Sequence, residues 1–247
     1  MSLRWAGLVV AALVAFMHSG VASAGPPFLT DDPEPTEAGH WEIYAPALEA
    51  AGKGRDFEGS AGAELNYGAA PDLQVTVGLP VSYVHDASGF VSGAGDLEVS
   101  VKYRFFYDEA AAFSIAAFPG ITLPTASAGF GTRHFTALLP VWIQKDAGAW
   151  SLFGGGGYAI NPGSGNRNYW SGGIALSRSY SDRLLIGVEA DRQGSDTLDG
   201  RAETSLGVGA IMRLTARVRL LASAGPTFVD GEAPTRFHAF VAVGLDF

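Results

Sequence analysis

Apolar and polar residues alternate along most of this chain with a period of two. Over residues 73–83, Leu73, Val75, Val77, Leu79, Val81 and Tyr83 fall on one face, and Gln74, Thr76, Gly78, Pro80 and Ser82 on the other. Residues 96–105 repeat the pattern, setting Leu97, Val99, Val101, Tyr103 and Phe105 against Asp96, Glu98, Ser100, Lys102 and Arg104. That period belongs to a β-strand, whose successive side chains point to opposite faces. Similar runs occupy about 40–50, 57–68, 112–123, 134–145, 150–161, 169–180, 183–192, 202–214, 217–226 and 236–247. The pattern therefore predicts about twelve strands, each near the roughly 9–11 residues with which a tilted strand crosses a membrane.

The connections alternate as well. Short turns are expected at 70–72, 108–109, 146–148, 181–182 and 215–216, and longer polar, Gly-rich loops at about 51–56, 85–95, 124–133, 162–168, 193–201 and 227–235. Short periplasmic turns with long extracellular loops characterise outer-membrane barrels, and an even strand count returns both termini to the periplasm. The fold class predicted is all-β, a transmembrane antiparallel up-and-down β-barrel. A soluble β-sandwich is the competing reading, but it requires no systematic order of long and short loops. Prolines 80, 119 and 140 interrupt three of the runs, and each removes a ladder donor, so all three should sit near strand ends or at bulges.

Both ends of the chain suit that compartment. Residues 1–24 carry a basic start (Arg4), an apolar run over 5–16 and an Ala22-Ser23-Ala24 ending, the pattern of a cleavable signal peptide. Residues 25–39 then form a periplasmic N-terminal leader, and 40–247 the barrel. In the closing run, Phe237, Ala239, Val241, Val243, Leu245 and Phe247 share a face opposite His238, Ala242, Gly244 and Asp246. Phe237, Val243, Leu245 and the terminal Phe247 resemble the signal by which bacterial outer-membrane barrels reach the barrel-assembly machinery.

Composition removes several classes. There is no Cys, which rules out disulfide and thiol chemistry. A formal net charge of −9 argues against nucleic-acid binding. Charged residues make up only 17% against 11% aromatic, with 33 Gly, as expected of a barrel with turns, aromatic girdles and a crowded wall. No Gly-x-Ser-x-Gly elbow occurs, and His85, Asp86 and Ser88 are the one compact set of base, acid and hydroxyl, in a Gly-rich segment where nothing would hold a triad in register. No catalytic residue, cofactor or metal site is therefore assigned.

Particular segments carry a family resemblance. These are Pro-Pro-Phe-Leu-Thr-Asp-Asp-Pro-Glu-Pro at 26–35, His40-Trp41-Glu42, Gly95 to Val99 with Lys102, Tyr103 and Arg104, Leu123-Pro124-Thr125, and the four glycines before Tyr158 with Asn161-Pro162-Gly163. The chain resembles outer-membrane proteins grouped under the MetA pathway of phenol degradation and labelled transporters. The resemblance implies an outer-membrane channel, with aromatic compounds among its solutes.

If the apolar face meets lipid, the other face lines the lumen. The residues expected there are Glu64, Asp96, Glu98, Lys102, Arg104, Phe118, Trp142, Phe153, Glu189, Asp191, Arg213, Arg219, His238 and Phe240. Charges at these positions are costly toward lipid and tolerated toward water. They serve either as a salt-bridge ladder stiffening the wall or as a solute path. An acidic outer mouth favours small neutral, cationic or aromatic solutes over anions. The leader's prolines hold it extended, and Asp31, Asp32, Glu34 and Glu37 are expected to pair with some of Lys102, Arg104, Arg213 and Arg219 as a plug or gate. The function expected is an outer-membrane channel. A structural or adhesive barrel is the alternative, and a lipid-modifying enzyme is a further one.

Overall fold

The computed structural model describes residues 27–233 and 235–247. The signal peptide expected at 1–24 and the first two leader residues lie outside them. The strands are β1 (Trp41–Lys53), β2 (Asp56–Ala70), β3 (Leu73–Asp86), β4 (Gly89–Ala94), β5 (Leu97–Asp108), β6 (Phe113–Ala117), β7 (Gly120–Leu123), β8 (Thr136–Ala147), β9 (Trp150–Ile160), β10 (Tyr169–Ser181), β11 (Leu184–Gln193), β12 (Glu203–Arg213), β13 (Val218–Val229) and β14 (Arg236–Asp246). Both β4 and β5 pair with β3, and both β6 and β7 bridge β5 to β8, so each couple is one barrel strand interrupted once. The result is a closed antiparallel barrel of twelve strands, with β14 returning to pair with β1.

The interruptions explain the prolines. Pro80 lies opposite the gap between β4 and β5, and its carbonyl accepts the Gly95 amide at 2.9 Å. Pro119 is itself the gap between β6 and β7, and Pro140 faces it from β8, accepting the Phe118 amide at 3.1 Å. Each proline accepts a ladder bond and has no N–H to return one. Continuous strands cannot form on both sides of such a residue, which is why the neighbour breaks.

Two expected loops are not loops. β1 and β2 join at 54–55, and β3 and β4 at 87–88, so the segments 51–56 and 85–95 are mostly strand. Gly54 (φ 69°) and Gly89 (φ 123°) take backbone angles that other residues rarely adopt, closing tight hairpins where polarity alone suggested a loop. Beyond the bilayer a strand need not be apolar, so its polar tip resembles a connection. The remaining outer connections, at 124–135, 161–168, 194–202 and 230–235, are longer than the turns at 71–72, 148–149 and 182–183.

The outer surface carries the apolar residues. Leu79, Val81, Val101, Ile121, Leu139, Val141, Ile174, Val188, Val208 and Val241 are all exposed around the waist. Aromatic rings flank them, Trp41 against Tyr67 (4.7 Å) at the end bearing both termini and Tyr158 against Trp170 (5.1 Å) at the other. An aliphatic band between two aromatic girdles is the surface a barrel presents to lipid. Phe237 and Phe247 are exposed on this face, with Val243 and Leu245 half-buried beside them, and the Phe247 backbone pairs with Trp41.

Candidate functional site

The inward face is polar, and one side of it is occupied by the chain's own leader. Ala38 bridges to Gly68 beside the start of β1, and from there the chain runs backward into the lumen. The Thr36 amide donates to Gln74 Oε1 (2.7 Å), the Glu34 carboxylate meets Arg104, and Asp31 Oδ1 lies 3.0 Å from Lys102 Nζ. Asp32 is 3.7 Å from the same ammonium, and Ser114 Oγ donates to Glu34 Oε1 at 3.1 Å. Thr30, Asp31 and Pro33 are fully buried. Two Asx-type bonds, from the Asp32 amide to Asp31 and from the Glu34 amide to Asp32, set the extended Asp-Asp-Pro-Glu course locally. Burial raises the Asp31 carboxyl to about 6, and the Lys102 ammonium pulls the other way. The carboxylate is thus held by Lys102 rather than by water.

Beyond Asp31 the leader reaches the far wall. The Thr30 amide donates to Glu189 Oε2 (3.0 Å), and Phe28 packs edge-on against Phe153 (5.8 Å between centroids), beside Ala175 and Leu185. Glycines make this docking possible. A Cβ on Gly187 or Gly209 would lie 2.6 or 2.7 Å from the Phe28 ring, and one on Gly173 would collide with the Thr30 hydroxyl. These three positions on β10, β11 and β12 form a recess that only hydrogen side chains leave open.

Above the leader a cavity of about 560 Å3 extends to the outer mouth. It is lined by Leu29 at its base, by Phe118, Leu138, Pro140 and Trp142 on one side, and by eight carboxylates, among them Glu58, Glu64, Glu98 and Asp191. Two cations line it, Lys53 and Arg236, and Arg236 is 3.3 Å from both Glu203 and Glu232. Below lies a smaller chamber of about 250 Å3 between leader and wall, lined by Asp32, Glu42, Asn66, Lys102 and Arg219. Glu64 and Phe118 line both spaces, and Lys102 Nζ stands 4.8 Å from the Phe118 ring centroid.

The residues singled out in the sequence fall as follows. Glu64, Glu98, Lys102, Phe118, Trp142, Asp191 and His238 line these spaces. Phe153 and Glu189 hold the leader, and Phe240 packs behind Tyr44, Leu221 and Ala242. Arg104 meets Glu34 and Asp72, whereas Arg219 pairs with Glu42 and with Asp246 (2.7 Å) and not with the leader. Arg213 sits at an exposed strand end. Glu37 is exposed, and its carboxylate lies 4.0 Å from His40 Nδ1. Asp96 accepts the amides of Ala126 (2.9 Å) and Thr132 (2.7 Å), fastening the outer connection 124–135 rather than lining the cavity. Leu138 points inward and Leu139 outward. His85 stacks on Phe57 (4.8 Å) and bonds the Arg55 carbonyl, while Asp86 bonds Ser88, so the three do not assemble a triad. Phe28, Thr30, Thr36, Gln74, Ser114 and the glycine recess were not singled out, because their roles exist only once strand register and the leader's path are known.

A family model described as "Putative MetA-pathway of phenol degradation" matches residues 53–240. Among solved structures, an outer-membrane channel from Pseudomonas putida F1 is similar at a TM-score of 0.70 and 18% identity, covering 91% of this chain and 100% of that one. The NanC porin (TM-score 0.57, 10% identity, 80% and 98% covered) and the KdgM porin in complex with oligogalacturonate (0.55, 9%, 81% and 99%) share the fold. No curated protein matches.

Proposed function

We propose that this chain, which belongs to the MetA-pathway phenol-degradation family, is an outer-membrane channel for small neutral or cationic solutes, aromatic and hydrophobic ones among them. The observation that carries the reading is the outer cavity, where carboxylates outnumber cations and stand beside an apolar wall of Phe118, Leu138 and Trp142. A cavity of one sign concentrates its counterions and repels like charge, and an aromatic wall retains rings. Acidic solutes of the kind named with the KdgM porin would meet the wrong field here. In the mature protein, residues 25–39 act as a plug, held through Asp31, Asp32 and Glu34. The terminal signal Phe237, Val243, Leu245 and Phe247 engages the barrel-assembly machinery.

Refolded protein in a planar bilayer under a salt gradient tests the reading. Cation selectivity is expected, weakened by Glu64→Gln with Glu98→Gln, and block by phenol should exceed block by benzoate. Anion selectivity, or stronger block by benzoate, rejects it. The depth to which the leader is buried favours a second reading, a closed structural barrel. A barrel silent both with and without its leader would support that one.

A further inference from the structure

An arginine stands on the lipid-facing surface with no acceptor among the described residues. Along β10 the even positions Ile174, Leu176, Arg178 and Tyr180 are exposed, while Ala175 and Ser177 between them are buried toward the lumen. Arg178 pairs across the sheet with Trp150 on β9 and Ile186 on β11, both exposed, so its side chain lies outside the wall. Its guanidinium is 5.2 Å from the Trp150 ring centroid and 5.0 Å from that of Tyr180. Arg104, Arg192, Arg219 and Arg236 each meet a carboxylate, whereas Arg178 forms no ion pair or side-chain hydrogen bond among the described residues.

The depth of this arginine identifies what it faces. Trp150 opens β9 after the turn at 148–149 and Tyr180 comes just before the turn at 182–183, at the end of the barrel that bears both termini. Rings at that level sit among lipid headgroups. A guanidinium carries five donors in a planar fork that matches a phosphate with two parallel bonds. In hydrocarbon it would be costly, but at headgroup depth the acceptor that the protein withholds is supplied by lipid. The adjoining turns set the sign of the headgroup. Arg183 and Arg217 are exposed there without an ion pair among the described residues, against Asp182 as the acid of those two turns. In a chain of net charge −9 this rim is a local reversal.

We propose that Arg178, between Trp150 and Tyr180, binds the phosphate of an anionic glycerophospholipid in the periplasmic leaflet of the outer membrane, and that Arg183 and Arg217 favour that headgroup over a zwitterionic one. The rings pack against the lipid below its headgroup while the guanidinium takes the phosphate. The site is outside the lumen and does not depend on what the channel carries.

Native mass spectrometry of the folded barrel, titrated with phosphatidylglycerol or with phosphatidylcholine, tests the site. The parent should retain phosphatidylglycerol in preference, and the preference should fall as ionic strength rises. Arg178→Gln should weaken that retention about fivefold, the worth of one basic side chain at an anionic lipid surface, and Arg183→Gln should weaken it less. Arg178→Lys should recover part of the loss, because it restores the charge without the fork. Heat-modifiable mobility should be unchanged in all three, since the replaced side chains are exposed. Arg167→Gln removes an exposed cation from the outer rim and should leave retention at the parent level. Equal retention of the two lipids by the parent, or a loss at Arg167 as large as that at Arg178, overturns the site. Tighter retention of lipid A than of phosphatidylglycerol also overturns it, because the surface would then belong to the opposite leaflet.

Discussion

The two sides of the lumen hold one leader by opposite means. On the β3–β6 side, long polar side chains reach in: Gln74, Lys102, Arg104 and Ser114 each take a partner between Asp31 and Thr36. On the β10–β12 side the wall withdraws, and Gly173, Gly187 and Gly209 leave a recess for Phe28 and Thr30. The first kind of contact depends on charge and desolvation, the second on the absence of single carbon atoms. Damage to the two sides should therefore differ in size and in its response to salt.

The largest effect is expected at Lys102. Lys102→Met leaves Asp31 fully buried without its cation, and breaking a buried pair from one side costs about 3–5 kcal/mol. The leader should undock, seen as protease cleavage of the leader in folded barrels and as higher conductance. Adding Asp31→Leu should recover most of the loss, because removing both charges also removes the desolvation penalty.

A control on wall parity comes next. Val99→Arg, on the strand face of exposed Val101 and paired with exposed Ile121, should lower barrel stability by roughly 2–4 kcal/mol in chemical unfolding, whereas Ser100→Arg on the opposite face should be tolerated far better. Equal damage at both positions would dissolve the distinction between wall and lumen on which the comparison rests.

On the glycine side, Gly209→Val should weaken docking by about 1–3 kcal/mol through overpacking against Phe28. The barrel's heat-modifiable mobility should stay unchanged, and the loss should not vary with salt. The smallest effect belongs to Arg104→Gln. Its Glu34 partner is partly exposed, so the pair contributes about 0–1 kcal/mol, and the change should be visible only at low ionic strength. A salt-independent loss of several kcal/mol at Arg104 would mean the two sides are not held differently.

Particular elements mark how far the alternation could be read. The closing strand placed Phe237, Val241 and Phe247 outward and His238 inward from pattern alone, because lipid imposes a strict apolar requirement on every second residue. The tips of β1 to β4 have the polar pattern of loops because that requirement ends where the bilayer does. Proline positions signalled interruptions in the wall, but not which neighbour would break or that Pro119 and Pro140 would both belong to the gap between β6 and β7. The acids of the leader and the bases of β5 were legible as partners, whereas Glu37 and Arg213, equally charged, stay at exposed positions.

Alternation and turn spacing alone determined the barrel, its strand number within the reach of counting, and which face of each strand meets lipid. All of these follow from local periodicity and from the chemistry of a solvent that cannot bond to the backbone. Only the tertiary structure decided what the lumen contains. Register brings Gly173, Gly187 and Gly209 together from strands separated in sequence, and the leader's path sets Asp31 against Lys102 across 71 intervening steps of chain. Contacts made across a closed barrel have no period along the chain, so no local pattern records them.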